Sequence, residues 1–224
     1  KHVPELRNID VTKNWDDADN QDGVRPEKIK VNLLADGEVV DNQEIIGDLD
    51  ANTWSYSFKD LPKYKNAGQE IVYSVTEEAV AGYTTTIDGT TITNKHVPEL
   101  RNIDVTKNWD DADNQDGIRP EKIMVNLLAD GKVVDSQEVS GDLDVNTWSY
   151  SFKDLPKYKD AGQEIVYSVT EEAVAEYTSR IDEFIITNTH TPELRDINVT
   201  KVWDDANNQD GIRPEMVEVE LYAN

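Results

Sequence analysis

A run of 23 residues, KHVPELRNIDVTKNWDDADNQDG, opens the chain and recurs without change 94 residues later. Alignment of the first two copies finds 14 differences, and a third copy begins at residue 189. A unit of this length can fold as a domain by itself and is far longer than a solenoid repeat. The sequence therefore predicts two complete domains, residues 1–94 and 95–188, and a truncated N-terminal part of a third, residues 189–224.

The joins between copies read TNKHVPEL and TNTHTPEL. Each join is short and contains a proline, which favours a stiff, extended connector over a flexible Gly/Ser tether. The first residues do not form a signal peptide, and no apolar run reaches membrane-spanning length. We interpret the chain as a fragment or a mature segment of a longer protein.

Charge limits the partners that we expect. The chain has 22 Lys and Arg against 46 Asp and Glu, for a formal net charge of −24. Such a surface repels nucleic acid and anionic membranes, so neither is an expected partner. The absence of cysteine is usual in a reducing compartment, but it also fits an extracellular protein that is stabilised in another way.

Alternating apolar and polar residues predict strands throughout each copy. IKVNLLA (29–35), NTWSYSF (52–58) and EIVYSVTEE (70–78) alternate with period two, and Asp36-Gly37 is a hairpin turn signal. We expect LPKYKNAG to be a loop. About seven short strands and no helical periodicity in each copy predict an all-β protein made of antiparallel β-sandwiches.

Three polar residues of each copy fall on apolar strand faces. Lys13 interrupts the apolar face of NIDVTKNW, Glu77 continues that of EIVYSVTEE, and Asn94 shares a face with Ile92. Such residues must satisfy one another or pay several kcal/mol each. One interpretation is a buried Lys–Glu ion pair with Asn as a hydrogen-bond partner, or strand ends that emerge into solvent. The equivalent residues of the second copy are Lys107, Glu171 and Asn188.

The second interpretation is chemical. Burial disfavours charge, and a neutral lysine amine is a nucleophile. A protonated Glu can polarise the Asn carboxamide, so that the amine attacks its carbon and ammonia leaves. Because the groups would be held in contact, proximity would supply most of the rate. The product would be a Lys–Asn isopeptide crosslink.

The chain resembles the B-type (Cna B-like) repeats of the collagen adhesin and other surface adhesins of Gram-positive bacteria. The resemblance rests on VTKNWDDADNQDGVRPEKIKVNLLADG, FKDLPKY, YSVTEE and TTITNK. It implies tandem Greek-key β-sandwiches of reversed immunoglobulin-like topology, with a Glu-assisted Lys–Asn bond in each. The implied bonds are Lys13–Asn94 assisted by Glu77 and Lys107–Asn188 assisted by Glu171, whereas Lys201 of the third copy has no partner.

The resemblance also implies a role and a place. The repeats would form a structural stalk on the extracellular, cell wall-anchored surface of a Gram-positive bacterium. Their partners would be neighbouring repeats, and host extracellular matrix through a region not present in this chain. A ligand-binding module and a pilin-type domain are alternatives. We expect no cofactor and no turnover enzyme, because the reactive set would be consumed once by its own domain.

The acidic run DDADNQDG (16–23) suggests calcium, but the EF-hand register fails because Ala18 would take position 1 and Ile29 position 12. A calcium site of another kind stays open as an alternative to a solvated loop. It would use Asp16, Asp17, Asp19 or Asp22. The three histidines lie in the linkers, so we expect no zinc site within a domain. They are His2, His96 and His190.

One difference between the copies precedes the last strand. Gly89 of the first copy is replaced by Glu183, and Phe184 follows it. The sequence therefore leaves open whether the hairpin that leads to Asn188 has the same form in the second copy.

Overall fold

The segments with alternating apolar and polar residues form β-strands in both copies. The computed structural model describes residues 3–223, and over that range it contains β-strands and no helix. Accordingly, no helix within the described residues has the length and apolarity needed to cross a membrane.

The two copies have the same set of nine strands. In the first copy these are Leu6–Asp16 (β1), Lys28–Ala35 (β2), Glu38–Ile46 (β3), Thr53–Pro62 (β4), Tyr64–Lys65 (β5), Gln69–Glu70 (β6), Tyr73–Glu77 (β7), Thr84–Asp88 (β8) and Thr91–Lys95 (β9). In the second copy they are Leu100–Asp110 (β10), Lys122–Ala129 (β11), Lys132–Ser140 (β12), Thr147–Pro156 (β13), Tyr158–Lys159 (β14), Gln163–Glu164 (β15), Tyr167–Glu171 (β16), Thr178–Asp182 (β17) and Ile185–Thr189 (β18).

Each copy is a sandwich of two sheets. The strand orders are β4-β1-β9-β8 and β3-β2-β7 in the first copy, and β13-β10-β18-β17 and β12-β11-β16 in the second. The prediction of all-β Greek-key sandwiches with reversed immunoglobulin-like topology is confirmed. The inward faces of the first copy form one core, which includes Val11, Val31, Leu33, Phe58, Val75 and Ile92.

Two local predictions were wrong. LPKYKNAG is not all loop, because β5 pairs with β6 there as a short ribbon. The stretch 70–78 is not one strand, because Glu70 ends β6 and β7 runs only from Tyr73 to Glu77. The residues before Tyr73 leave the sheet because Val72 bonds the Asp36 turn instead. Its carbonyl accepts from the Asp36 amide at 2.8 Å, and its amide donates to the Asp36 carboxylate at 3.2 Å.

The first and last strands of a copy run parallel. Thr12 lies opposite Thr91, and Asp16 lies opposite Lys95. The chain therefore enters each copy at one end of the sandwich, here called the leading end, and leaves at the opposite, trailing end. The acidic loop that follows β1 lies at the trailing end, beside the connector. The β5–β6 ribbon lies at the leading end, because β4 ends with Pro62 paired to Leu6.

The replacement of Gly89 by Glu183 does not displace the last hairpin. Asn94 lies opposite Thr85 and Asn188 opposite Ser179, which is the same register in both copies. Glu183 adopts a φ of 53°, close to the 60° of Gly89. The turn is kept although a left-handed conformation costs a non-glycine residue about 1 kcal/mol.

Residues 192–224 form a separate compact unit. The sequence predicts a first strand and the start of a second there, but residues 192–223 contain only the turns of the acidic loop and no strand. Their apolar side chains face solvent, with Val199 63% and Val202 74% exposed. Two strands alone cannot bury a sheet face, which accounts for the difference.

Candidate functional site

Lys13 is a core residue of the first copy. Strand β1 buries alternate side chains, and Lys13 occupies the inward position between Val11 and Trp15 with 1% of its surface exposed. Burial lowers the pKa of Lys13 to about 8, and the charge of Glu77 only partly opposes this effect. A substantial fraction of the amine is therefore neutral near physiological pH.

Glu77 reaches the same point from the opposite sheet. Its carboxylate Oε1 lies 3.3 Å from Lys13 Nζ, and both side chains are at most 1% exposed. Its other oxygen accepts a hydrogen bond of 3.2 Å from the Thr85 hydroxyl of β8. The carboxyl group is thus held against the lysine amine in a site without solvent.

Asn94 completes the cluster from strand β9. In the parallel β1–β9 pair, Lys13 lies opposite Ile92 and Trp15 opposite Asn94, so the Lys and Asn side chains share the inward face, one step apart along the strands. Asn94 is fully buried. The structure thus places Lys13 and Glu77 in contact, with Asn94 on the same inward face of the neighbouring strand.

The polar atoms of this cluster are poorly satisfied as separate groups. Lys13 Nζ, Glu77 Oε1 and both side-chain polar atoms of Asn94 are buried and have no hydrogen-bond partner. A buried polar group without a partner costs about 1–3 kcal/mol, and such groups are rare in native proteins. One alternative was a Lys–Glu ion pair with Asn as its hydrogen-bond partner. The ion pair is present, but Asn94 makes no hydrogen bond to it. The other alternative, strand ends that emerge into solvent, is excluded because the residues are buried.

Aromatic rings cover the cluster. Lys13 Nζ lies 4.2 Å from the ring centroid of Trp15. Trp15 in turn packs edge to face against Trp54 and Tyr83, with centroids 5.1 and 5.0 Å apart. These rings exclude water, which keeps the local dielectric low and the amine partly neutral.

The second copy repeats the arrangement. Lys107 Nζ lies 3.6 Å from Glu171 Oε1, and burial lowers the pKa of Lys107 to about 8. Asn188 is fully buried, and its amide atoms have no hydrogen-bond partner. Two hydrogen bonds differ. Lys107 Nζ donates to the Asn108 carbonyl at 3.1 Å. Neither oxygen of Glu171 has a hydrogen-bond partner, whereas Glu77 accepts from Thr85.

The corresponding lysine of the third copy has different surroundings. Lys201 is exposed, and its amine donates to the Val202 carbonyl at 3.3 Å. The ring centroid of Trp203 lies 4.3 Å from it. Among the described residues no carboxyl group forms a salt bridge with Lys201.

The acidic loop is organised by an arginine that sequence reasoning missed. Arg25 is buried and donates to both carboxylate oxygens of Asp17, at 3.0 and 2.6 Å. The Tyr83 hydroxyl donates to the same carboxylate at 2.8 Å. Burial raises the pKa of Asp17, but these hydrogen bonds more than offset it, so the pKa lies below its ordinary value. The sequence did carry a signal for this pair, because the spacing of Asp17 and Arg25 recurs in the second copy as Asp111 and Arg119.

The remaining loop carboxylates also bind protein groups. Asp19 accepts from the Asn52 amide, and Asp22 contacts His96 Nε2 at 3.0 Å. Within residues 3–223 no three His, Asp or Glu side chains are grouped as a metal site would require. The linker histidines instead bind the trailing end of the preceding copy, and His190 contacts Asp116 at 3.0 Å. His2 lies outside the described residues.

A family model for the Cna protein B-type domain matches residues 9–95, 103–189 and 197–224. The chain belongs to the Cna B-type domain family. Its B-type copies are 48% identical to the collagen adhesin of Staphylococcus aureus over 230 residues, an alignment that covers 100% of this chain and 19% of the adhesin.

Solved B-type structures are similar as well. The crystal structure of two B repeat units (B1B2) of the collagen binding protein (Cna) of Staphylococcus aureus has 43% identity and a TM-score of 0.72, over 92% of this chain and 55% of that chain. A single B repeat unit (B1) of the same protein has 44% identity and a TM-score of 0.38, over 84% of this chain and 100% of that chain.

Proposed function

We propose that the chain is part of a structural stalk of a bacterial surface adhesin, in which each complete B-type domain is locked by a Lys–Asn isopeptide bond that it forms itself. The observation that carries the proposal is a buried Lys13–Glu77 pair next to Asn94, whose two side-chain polar atoms have no hydrogen-bond partner. The same cluster recurs as Lys107, Glu171 and Asn188.

The reaction needs no group from outside the domain. The neutral amine of Lys13 attacks the side-chain carbonyl carbon of Asn94, and a bond from Lys13 Nζ to that carbon forms. When Lys13 is neutral, the proton of the Lys13–Glu77 pair lies on Glu77, which donates it to the carbonyl oxygen and then carries a proton from the attacking amine to the departing nitrogen. The bond from that carbon to Asn94 Nδ2 breaks, and ammonia leaves. Glu77 ends in its starting state.

Three features of the site favour this reaction. Burial lowers the pKa of Lys13 to about 8, so the nucleophile is available. The 3.3 Å contact between Lys13 and Glu77 places the proton carrier against the amine. Packing holds the groups together, which removes most of the entropic part of the barrier. Because the product stays in the core, each domain reacts once and is not a turnover enzyme.

The position of the bond suits a stalk. Lys13 lies in the first strand and Asn94 in the last, so a pulling force would pass directly from one to the other. The 80 residues between them, which could otherwise extend by roughly 270 Å, would be shielded. By the loop-entropy argument used for disulfides, closing such a loop stabilises a domain by about 4–5 kcal/mol. An amide also resists reduction and needs no cysteine.

Similarity to the collagen adhesin supports a location for this stalk at the bacterial surface. We assign it to the extracellular, cell wall-anchored surface of a Gram-positive bacterium, where it would project a separate region that binds host extracellular matrix. The chain spans 19% of the length of that adhesin, so the binding region would belong to the rest of the protein. Near-identical copies favour a stalk over a ligand-binding module, because length and stiffness grow with copy number.

Intact-protein mass spectrometry tests the proposal. Two bonds would lower the mass by about 34 Da, or about 17 Da for each ammonia lost. After allowance for the mass of the substitution, Lys13→Met should show a deficit of about 17 Da, because one bond remains. The double variant Lys13→Met with Lys107→Met should show no deficit. An intact mass equal to that calculated from the sequence would overturn the proposal.

A further inference from the structure

The acidic loop of the first copy touches the second copy. At the trailing end, the Asp22 carboxylate accepts a 2.7 Å hydrogen bond from the Glu99 amide and contacts His96 Nε2 at 3.0 Å. The Gln21 carbonyl accepts a 3.0 Å hydrogen bond from the Gly162 amide. Asp22 thus binds the connector, and Gln21 binds the ribbon at the leading end of the second copy.

Gly23 shows how closely the two copies approach. It has a φ of 68°, and a Cβ added there would lie 2.4 Å from the Ala161 carbonyl oxygen. Gly117, the same residue of the second copy, also has a φ of 68°, but a Cβ there would meet no described atom within 4 Å. Both positions therefore favour glycine because of their positive φ. Only at Gly23 would a side chain also collide with the neighbouring copy.

Comparison of the near-identical copies outlines the contact. Tyr64 of the first ribbon is 42% exposed, whereas its counterpart Tyr158 is half-buried. Ile71 is half-buried, whereas Ile165 is only 9% exposed. The two ribbon sequences differ only at Asn66 and Asp160. The second ribbon contacts Gln21 and Gly23, so the additional burial comes from the first copy. A continuous surface runs from the acidic loop to the ribbon of the next copy.

We propose that the acidic loop of a B-type copy is a docking surface for the next copy, and that it fixes the orientation of consecutive copies. The connector supplies a histidine and a backbone amide to one aspartate, while the ribbon closes over the glycine. The second copy carries the same elements in Asp116, Gly117 and His190, so it can present the same surface to a following B-type copy. This inference goes beyond the crosslinks and does not depend on them.

Topology explains why these elements meet. The loop follows β1 and the connector follows β9, and these parallel strands end together at the trailing end. The ribbon follows β13, whose last residue Pro156 pairs with Leu100 at the leading end of the second copy. Joining two copies end to end therefore brings a loop, a connector and a ribbon to one place.

Distances between spin labels test the proposal in the full chain. Because the chain lacks cysteine, Lys59→Cys with Lys153→Cys places one label on an exposed site in each copy. We expect a narrow distance distribution by pulsed electron paramagnetic resonance. Gly23→Ala should broaden it at least twofold, whereas Gly117→Ala, which has the same backbone strain, should leave it unchanged.

A second pair of variants covers the case in which Gly23→Ala fails to fold. His96→Ala should also broaden the distribution, and His190→Ala should not. A broad distribution in the parent, or equal widths within both variant pairs, would overturn the proposal. Intact mass, measured on the same samples, reports the crosslinks separately, so failure of docking and failure of the proposed function are distinguishable.

Discussion

Lys13 and Asn94 lie on neighbouring parallel strands with their side chains on the same buried face, and the pairing of Lys13 with Ile92 and of Trp15 with Asn94 sets them one step apart. The sequence separates them by 81 residues. The fold therefore brings an amine and a carboxamide together only after the last strand has docked. Under the proposed function, crosslinking is therefore a consequence of folding, and we expect no bond in an unfolded chain.

The role of Glu77 predicts a selective loss of one bond. Glu77→Ala should abolish the first crosslink and leave the second, because Glu171 is intact. The mass deficit should be about 17 Da after allowance for the substitution, and the first copy should be less resistant to heat and protease. The control is Glu78→Ala, since Glu78 is an exposed partner of Lys30. Unchanged crosslinking in Glu77→Ala would assign the proton transfer to another group.

The lowered pKa of Lys13 predicts a pH dependence in an unlinked domain. Asn94→Ala leaves the amine buried and free, with a folded-state pKa of about 8 against an ordinary lysine pKa of 10.5. Between these values the unfolded chain binds more protons, so stability should rise with pH from about 8 to 10. Denaturant midpoints across this range measure it. Lys13→Met with Asn94→Ala lacks the titrating amine and should show a flatter profile; equal slopes would contradict the prediction.

The Asp17–Arg25 pair predicts a large cost for removing one partner. Both side chains are buried, and Asp17 accepts from Arg25 and Tyr83. Arg25→Met should destabilise the first copy by about 3–5 kcal/mol, because an uncompensated buried charge is left behind. Chemical denaturation of the Asn94→Ala background measures it without the crosslink. Lys28→Met removes an exposed ion pair with Glu44 and should cost less than about 1 kcal/mol.

His96 predicts a joint that loosens as pH rises. Its Nδ1 lies 2.8 Å from the Gly82 carbonyl and its Nε2 3.0 Å from the Asp22 carboxylate, so both contacts are hydrogen bonds only when both nitrogens carry protons. Burial alone lowers the pKa of His96, but these hydrogen bonds outweigh it and the pKa is raised. The groups that face or flank the ring are Asp22, Tyr83, Asp17, Lys95 and Glu99.

Because the folded-state pKa is raised, this contribution is complete below pH 6.5 and is lost as pH rises through the raised value. The spin-label distribution should be narrower at pH 6 than at pH 8.5. His96→Gln removes the titration and should make the width independent of pH in this range. A parent distribution that is equally narrow at both values would show that docking does not need the imidazolium.

Lys201 is predicted to remain a free amine. It is exposed, and no described carboxyl group forms a salt bridge with it. Acetylation of this 224-residue chain in its folded state by an amine-reactive ester, followed by peptide mapping, should modify Lys201 and spare Lys13 and Lys107. Hydrogen exchange of residues 197–222 should be fast in a monomer. Protection equal to that of the two complete copies would show that this segment is a stable domain.

Local pattern was enough to predict most of the fold and the polar residues that lie in its core. A polar residue in a period-two apolar series is recognisable without coordinates, and this identified Lys13, Glu77 and Asn94. The partners of the acidic loop were not predictable in this way. Tyr83 is 66 residues from Asp17 in sequence, and the contact of His96 with Asp22 depends on which strand ends meet. Such contacts depend on the order and direction of the strands in each sheet, and the alternation of apolar and polar residues does not determine these.

The parallel pairing of β1 and β9 also decides how the sandwich bears load. A pull applied at the start of β1 and at the end of β9 slides the two strands past each other, because the two points lie at opposite ends of the pair. The hydrogen bonds between them are then strained together in shear, whereas in a hairpin pulled from its open end they would break one after another, as in a zipper. The parallel pair therefore gives a folded domain mechanical strength that does not depend on the proposed covalent bond.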